Sequence, residues 1–111
     1  MTTTITHSEI NFDALRASAD TACHLMRAMA NTDRLMLLCQ LSLGEKSVGE
    51  LEAQLGIHQP TLSQQLTVLR EANLVTTRRE GKSIIYSISS KAAMAVMRVL
   101  HQEFCTQYTN P

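Results

Sequence analysis

At 111 residues, 44% hydrophobic but only 4% aromatic, the chain is sized for one domain with a thin core, so dimerisation is expected to supply further burial. Its formal net charge of zero excludes a globally basic polymer binder, yet residues 1–57 carry four Lys/Arg against seven Asp/Glu while residues 58–82 carry four against two, so a positive field is local. With no membrane-length apolar run, signal peptide, internal repeat, Gly-rich phosphate loop, Ser-His-Asp grouping or paired carboxylates, the chain is expected to be cytoplasmic, to need no cofactor and not to be an enzyme.

Residues 1–11, opening Met1-Thr2-Thr3-Thr4-Ile5-Thr6, read as a flexible N-terminal tail, and 12–108 as one folded domain. Phe12 to Met29 carries Leu15, Ala19, Ala22, Leu25, Met26 and Met29 at helical spacing. Asn31 is placed to cap a second helix from Thr32 to about Leu43, containing Leu35, Met36, Leu38, Cys39 and Leu41. Ser47 with Glu50 three residues on is a capping box, and Val48, Leu51 and Leu55 share one face of the helix it starts. Gly56 falls where the chain must turn, and glycine adopts positive φ without steric cost. A fourth helix has Pro60 in its first turn, Leu62, Leu66 and Leu69 facing inward, and Thr61, Ser63, Gln64, Gln65 and Thr67 facing outward. Leu74 to Arg79 alternates like a strand, Glu80-Gly81-Lys82 is a turn, and Ser83 to Ile88 is a second strand. Ser89 or Ser90 caps a last helix from Lys91 to about Tyr108, with Ala93, Met94, Met97, Leu100, Phe104 and Cys105 apolar. The six methionines read as core and interface filler.

The order is α1-α2-α3-α4-β-β-α5, a mainly α (α+β) winged helix-turn-helix, with the first and last helices as a homodimer interface. The fourth helix is uncharged until Arg70, whereas a merely solvated face carries Glu and Lys. Short hydroxyl and amide side chains can donate and accept toward base edges and phosphates in a major groove. Gln64 and Gln65 are expected on base edges and Ser63 on phosphate, with Thr61 beside them in the groove and His58 near the backbone at the helix start. Arg70 and the basic hairpin tip, Arg78, Arg79 and Lys82, are expected to serve phosphates or the minor groove. The expected partner is double-stranded, pseudo-palindromic operator DNA. A winged fold serving protein contacts alone is the contrasting reading, which the polar helix and basic tip disfavour.

There are three cysteines, Cys23, Cys39 and Cys105, with no Cys-x-x-Cys motif, which argues against a structural disulfide framework. Cys39 lies on the apolar stripe of its helix, where an inert buried thiol is an ordinary outcome. Cys105 follows His101 by one turn; an imidazolium would lower its pKa, while the negative end of the helix dipole would raise it. His101 and Cys105, at i and i+4, could also chelate a metal, with Cys23, His24 or Cys39 completing the site.

Met29-Ala30-Asn31, Arg34-Leu35, Ser47-Val48-Gly49-Glu50-Leu51, Leu62-Ser63-Gln64 and Leu66 to Leu69-Arg70 together resemble the ArsR-type winged-helix repressors, from about Ala19 to Cys105. Leu38-Cys39, Leu100-His101 and Phe104-Cys105 resemble, more narrowly, the BigR, SqrR and HlyU branch. That resemblance implies a homodimeric repressor of sulfide-detoxification genes. It implies that persulfides or polysulfides bridge Cys39 and Cys105 and release the DNA. A metal-responsive repressor or a general thiol-oxidant sensor are the alternatives. Against metal, the stretch Val48-Gly49-Glu50-Leu51 lacks the Cys-x-Cys pair of many metal-sensing members, and the last helix offers only His101, Glu103 and Cys105.

Overall fold

The computed structural model describes residues 11–105. The helices are α1 (Phe12–Met29), α2 (Thr32–Ser42), α3 (Val48–Leu55), α4 (Thr61–Glu71) and α5 (Lys91–Leu100), and α5 runs on into a π-helical turn, His101–Cys105. The strands are β1 (Lys46–Ser47), β2 (Val75–Glu80) and β3 (Ser83–Ile88), in one antiparallel sheet of order β1-β3-β2. The expected tail lies, but for Asn11, outside the described residues, as do residues 106–108 of the expected last helix.

Local chemistry sets most boundaries. Asn11, Asn31 and Ser90 cap α1, α2 and α5, each accepting from first-turn backbone amides. At α3 the capping box is complete: Glu50 N donates to Ser47 Oγ at 3.1 Å, and Ser47 N donates to Glu50 Oε1 at 2.8 Å. The backbone amide of Ser47 holds the Glu50 carboxyl below its ordinary range. Gly56 ends α3 with φ 68°, a left-handed conformation that disfavours a Cβ. α4 ends in a Schellman turn through Asn73 at φ 61°: Leu74 N donates to Leu69 O, and Asn73 N to Arg70 O.

Two features depart from the sequence expectation. The two-residue β1 pairs with β3, Lys46 opposite Tyr86 and Ser47 opposite Ile85, so the capping box of α3 starts from the sheet. The last helix is not regular throughout. At His101 it widens to i→i+5 bonding, so the i, i+4 spacing of His101 and Cys105 does not fall on α-helical geometry.

The core forms where α2, α3 and α4 meet the sheet base and α5. Leu37, Leu38, Leu51, Leu62, Leu66 and Leu69 are fully buried. α1 contributes the buried Ala28 and Met29 and the partly buried Leu25; every residue from Phe12 to Ala22 is exposed. The radius of gyration, 16.6 Å, exceeds the ~13 Å of a compact chain of about 100 residues, and the extents are 55 × 35 × 22 Å, so the fold is elongated. No helix among the described residues is long and apolar enough to cross a membrane.

Candidate nucleic-acid interface and thiol pocket

Leu62, Leu66 and Leu69 bury one side of α4 and turn Ser63, Gln64, Thr67 and Arg70 to the surface; Thr61 and Gln65 are half-buried at the margin. Pro60 at the cap position has no side-chain acceptor to offer. Gln59 takes over: its Oε1 accepts from Ser63 N at 3.0 Å and from Ser63 Oγ at 2.6 Å. The Ser63 hydroxyl proton is therefore already committed, and the phosphate bond expected of it must compete with Gln59. Thr67 Oγ1 donates back to Ser63 O at 2.8 Å. Gln64 is exposed and makes no side-chain hydrogen bond among the described residues, which leaves both ends of its amide for a partner.

Gln65, expected on a base edge, has a partner within the protein. Its Oε1 accepts from Arg34 Nη1 at 2.7 Å. Arg34 stands on α2, and its other nitrogens donate to Ala28 O and, at 3.2 Å, to Arg27 O at the end of α1. His58 pairs through Nδ1 with Glu52 Oε2 at 3.1 Å, and both are exposed.

The wing is the β2–β3 hairpin, in register from Val75 opposite Ile88 to Glu80 opposite Ser83. Its turn is Gly81-Lys82, with Gly81 at φ 64°. Arg78, expected on phosphate, is already paired within the protein. Its Nη2 lies 2.6 Å from Glu45 Oε1 and its Nη1 2.8 Å from Glu80 Oε2. The hydrogen bonds to Glu45 and Glu80 raise the Arg78 pKa, and Arg78 in turn holds the Glu45 carboxyl below its ordinary range. Arg79 and Lys82, exposed at the tip, have no ion-pair partner among the described residues, and Arg70 is exposed beside Thr67.

A second feature lies between α2 and the end of α5. Leu35, Met36, Cys39 and Ser42 of α2 face Met97, Leu100, His101 and Phe104 across a cavity of about 400 Å³. Ser42 Oγ donates to Cys39 O at 2.6 Å. Cys39 is half-buried in this apolar wall. Cys105 ends the described chain one residue after Phe104, and its side chain lies outside the described part. Cys23 and His24 on α1 are not among the residues lining this cavity. Among the described residues, no three His, Cys, Asp or Glu gather in a way that could hold a metal ion.

Sequence reasoning missed Arg34, Glu45 and Gln59 as parts of the interface. Gln59 stands at i−4 from Ser63, and that spacing beside an acceptor-less Pro60 was a readable signal. Arg34 and Glu45 pair across 31 and 33 residues, with no local signature.

A polar helix seated on a glycine-ended helix, with a basic β-hairpin following it, defines a winged helix-turn-helix regulator. The chain belongs to the arsR family of bacterial regulatory proteins, whose family model matches residues 31–77. It is 48% identical over 102 residues, 92% of this chain and 87% of the relative, to the biofilm growth-associated repressor of Agrobacterium fabrum. The solved structure of the transcriptional repressor BigR from Xylella fastidiosa superposes with a TM-score of 0.79 at 44% identity, covering 88% of this chain and all of that one. Reduced HlyU from Vibrio cholerae superposes with a TM-score of 0.81 at 40% identity, covering 84% and 98% of the two chains. These relatives are regulators rather than enzymes, and this chain is a DNA-binding transcriptional regulator of the same kind.

Proposed function

We propose that the protein is a homodimeric, cytoplasmic repressor that releases operator DNA when reactive sulfur species bridge Cys39 and Cys105. The observation that carries the sensing reading is the α2–α5 cavity: Cys39 shares it with His101 and Phe104, the residues that lead to Cys105. A persulfide R–S–SH delivers its outer sulfur to the Cys39 thiolate, giving Cys39–S–SH and R–S⁻. Attack by the Cys105 thiolate on the inner sulfur gives a disulfide and HS⁻. When Cys105 is itself persulfidated, attack by its terminal sulfur gives a trisulfide and HS⁻. Bridges with added sulfur span more than the ~4.5 Å allowed between Cβ atoms of a disulfide, so the separation of the thiols can select persulfide over peroxide.

Dimerisation is supported by apolar side chains left exposed on the two outer helices: Leu15 and Met26 on α1, Val99 on α5, and Phe104 beyond it. A bridge between α2 and the end of α5 would strain the dimer and change the spacing of the two α4 helices. Half-sites lie about 34–36 Å apart, so a small change opposes simultaneous docking.

The test is peptide mass spectrometry of reduced protein after anaerobic treatment with a persulfide donor, beside a peroxide control. A Cys39–Cys105 cross-link heavier by whole sulfur atoms, found with persulfide alone, is expected. A cross-link that peroxide forms as well would instead mean a general thiol-oxidant sensor, and no cross-link would reject thiol bridging.

A further inference from the structure

We infer that Arg34, outside the helix-turn-helix, is a positioning residue of the DNA interface: it anchors the Gln65 amide oxygen, so that the NH₂ group is the end Gln65 offers DNA. The inference rests on the reading of α4 as the base-reading helix. Arg34 carries five N–H donors and no acceptor. The atom of Gln65 that meets Nη1 at 2.7 Å must therefore be the oxygen, and chemistry alone sets the orientation of the amide. Arg34 cannot yield easily. It also binds Ala28 O and Arg27 O, carbonyls at the C-terminus of α1, where the last helical carbonyls lack intrahelical partners. Its own backbone N–H is held by the Asn31 side chain at 3.0 Å. Flipping the Gln65 amide would set an NH₂ group against the guanidinium, with both sides donating.

The consequence is chemical selectivity. A glutamine that reads adenine uses both amide atoms, accepting from N6 and donating to N7. Gln64, exposed, keeps both. Gln65 has its oxygen engaged by Arg34 and presents NH₂, which suits guanine N7 and O6 or thymine O4 and disfavours the N4 donor of cytosine. The two adjacent glutamines thus differ in what they read, and a residue on α2 makes the difference.

The test is in vitro selection from a randomised duplex pool with the full-length protein, followed by affinities on single-base-pair variants of the selected site. Wild type is expected to prefer an acceptor base at one position per half-site by about tenfold, the discrimination of a good base contact. Q65L and R34M should each flatten that position and leave the others unchanged, and Q65L with R34M should do no more than either alone. R34K, which keeps a donor-only group, should retain the preference. Q65E should pair with Arg34, present an oxygen, and turn the preference toward cytosine. If R34M does not fold, Q65E carries the same test, because it leaves Arg34 and α1 in place. Preference unchanged in Q65L, or in a folded R34M, would overturn the inference, as would Q65E keeping the wild-type base. A wild-type pool with no enriched sequence would overturn the base-reading role of α4 itself, a separate and distinguishable result.

Discussion

Arg78 on the wing lies 2.6 Å from Glu45, which precedes it by 33 residues and belongs to the loop ahead of α3. The pair ties the hairpin to the body and takes one of the three basic tip residues out of the field that DNA would meet. The wing is therefore predicted to reach phosphate chiefly through Arg79 and Lys82.

Replacing Arg79 or Lys82 by Ala should weaken binding to cognate and random DNA alike, and each should reduce the slope of log K against log salt by about one. Arg78→Ala should change the slope less than either. Anisotropy titrations at four or more salt concentrations measure this; equal slope changes for all three variants would remove the distinction.

The Glu45–Arg78 pair also makes a pH prediction. The folded Glu45 carboxyl titrates below its ordinary 4.5, so the pair contributes fully above that value and is lost as pH falls through the folded pKa. At neutral pH the tether is intact. An NMR titration of the Glu45 carboxyl should give a midpoint below 4.5 that rises toward it in Arg78→Ala. No movement between the two proteins would mean that Arg78 does not hold the charge.

On α4, Gln64→Ala should cost about 1–3 kcal/mol on the selected operator and little on random DNA, because base contacts specify while phosphate contacts position. Gln59→Ala acts differently. It frees the Ser63 hydroxyl but strips a cap from α4, and should lower stability by about 1 kcal/mol in chemical denaturation. Equal loss of Gln64→Ala on both DNAs would place that residue on the backbone instead.

At the thiol pocket, Cys39→Ser and Cys105→Ser should bind operator with wild-type affinity and fail to release it on persulfide treatment. Cys23→Ser, on α1 and away from the cavity, should respond as wild type. Electrophoretic mobility shifts with and without the donor decide this. Normal release from both of the first two variants would discard the bridging mechanism.

For stability, Leu66→Ala, at a nearly fully buried site, should cost about 2–5 kcal/mol. Gly56→Ala should cost about 1–2 kcal/mol through backbone strain alone, since φ is 68° and nothing lies within 4 Å of an added Cβ. Denaturant melts at one fixed protein concentration compare them, because self-association would make the midpoint depend on concentration. A neutral Gly56→Ala would show that the left-handed turn carries no such strain.

The sequence by itself determined the elements and their order, because the forces that start and stop them act within four residues. Asn31, the Ser47–Glu50 box, Gly56 and Ser90 state their roles locally, and apolar residues at spacings of three and four mark the buried faces. The polar face of α4 and the basic tip were legible for the same reason. What the tertiary structure decided was which of those polar groups are already engaged. Gln65 is held by Arg34 from 31 residues away, Arg78 by Glu45 from 33, and Cys39 meets the end of α5 across a cavity. The local widening at His101 likewise departs from a periodicity that reads as plain helix. A side chain's residual hydrogen-bonding capacity depends on how separate elements pack, and no short-range pattern encodes that packing.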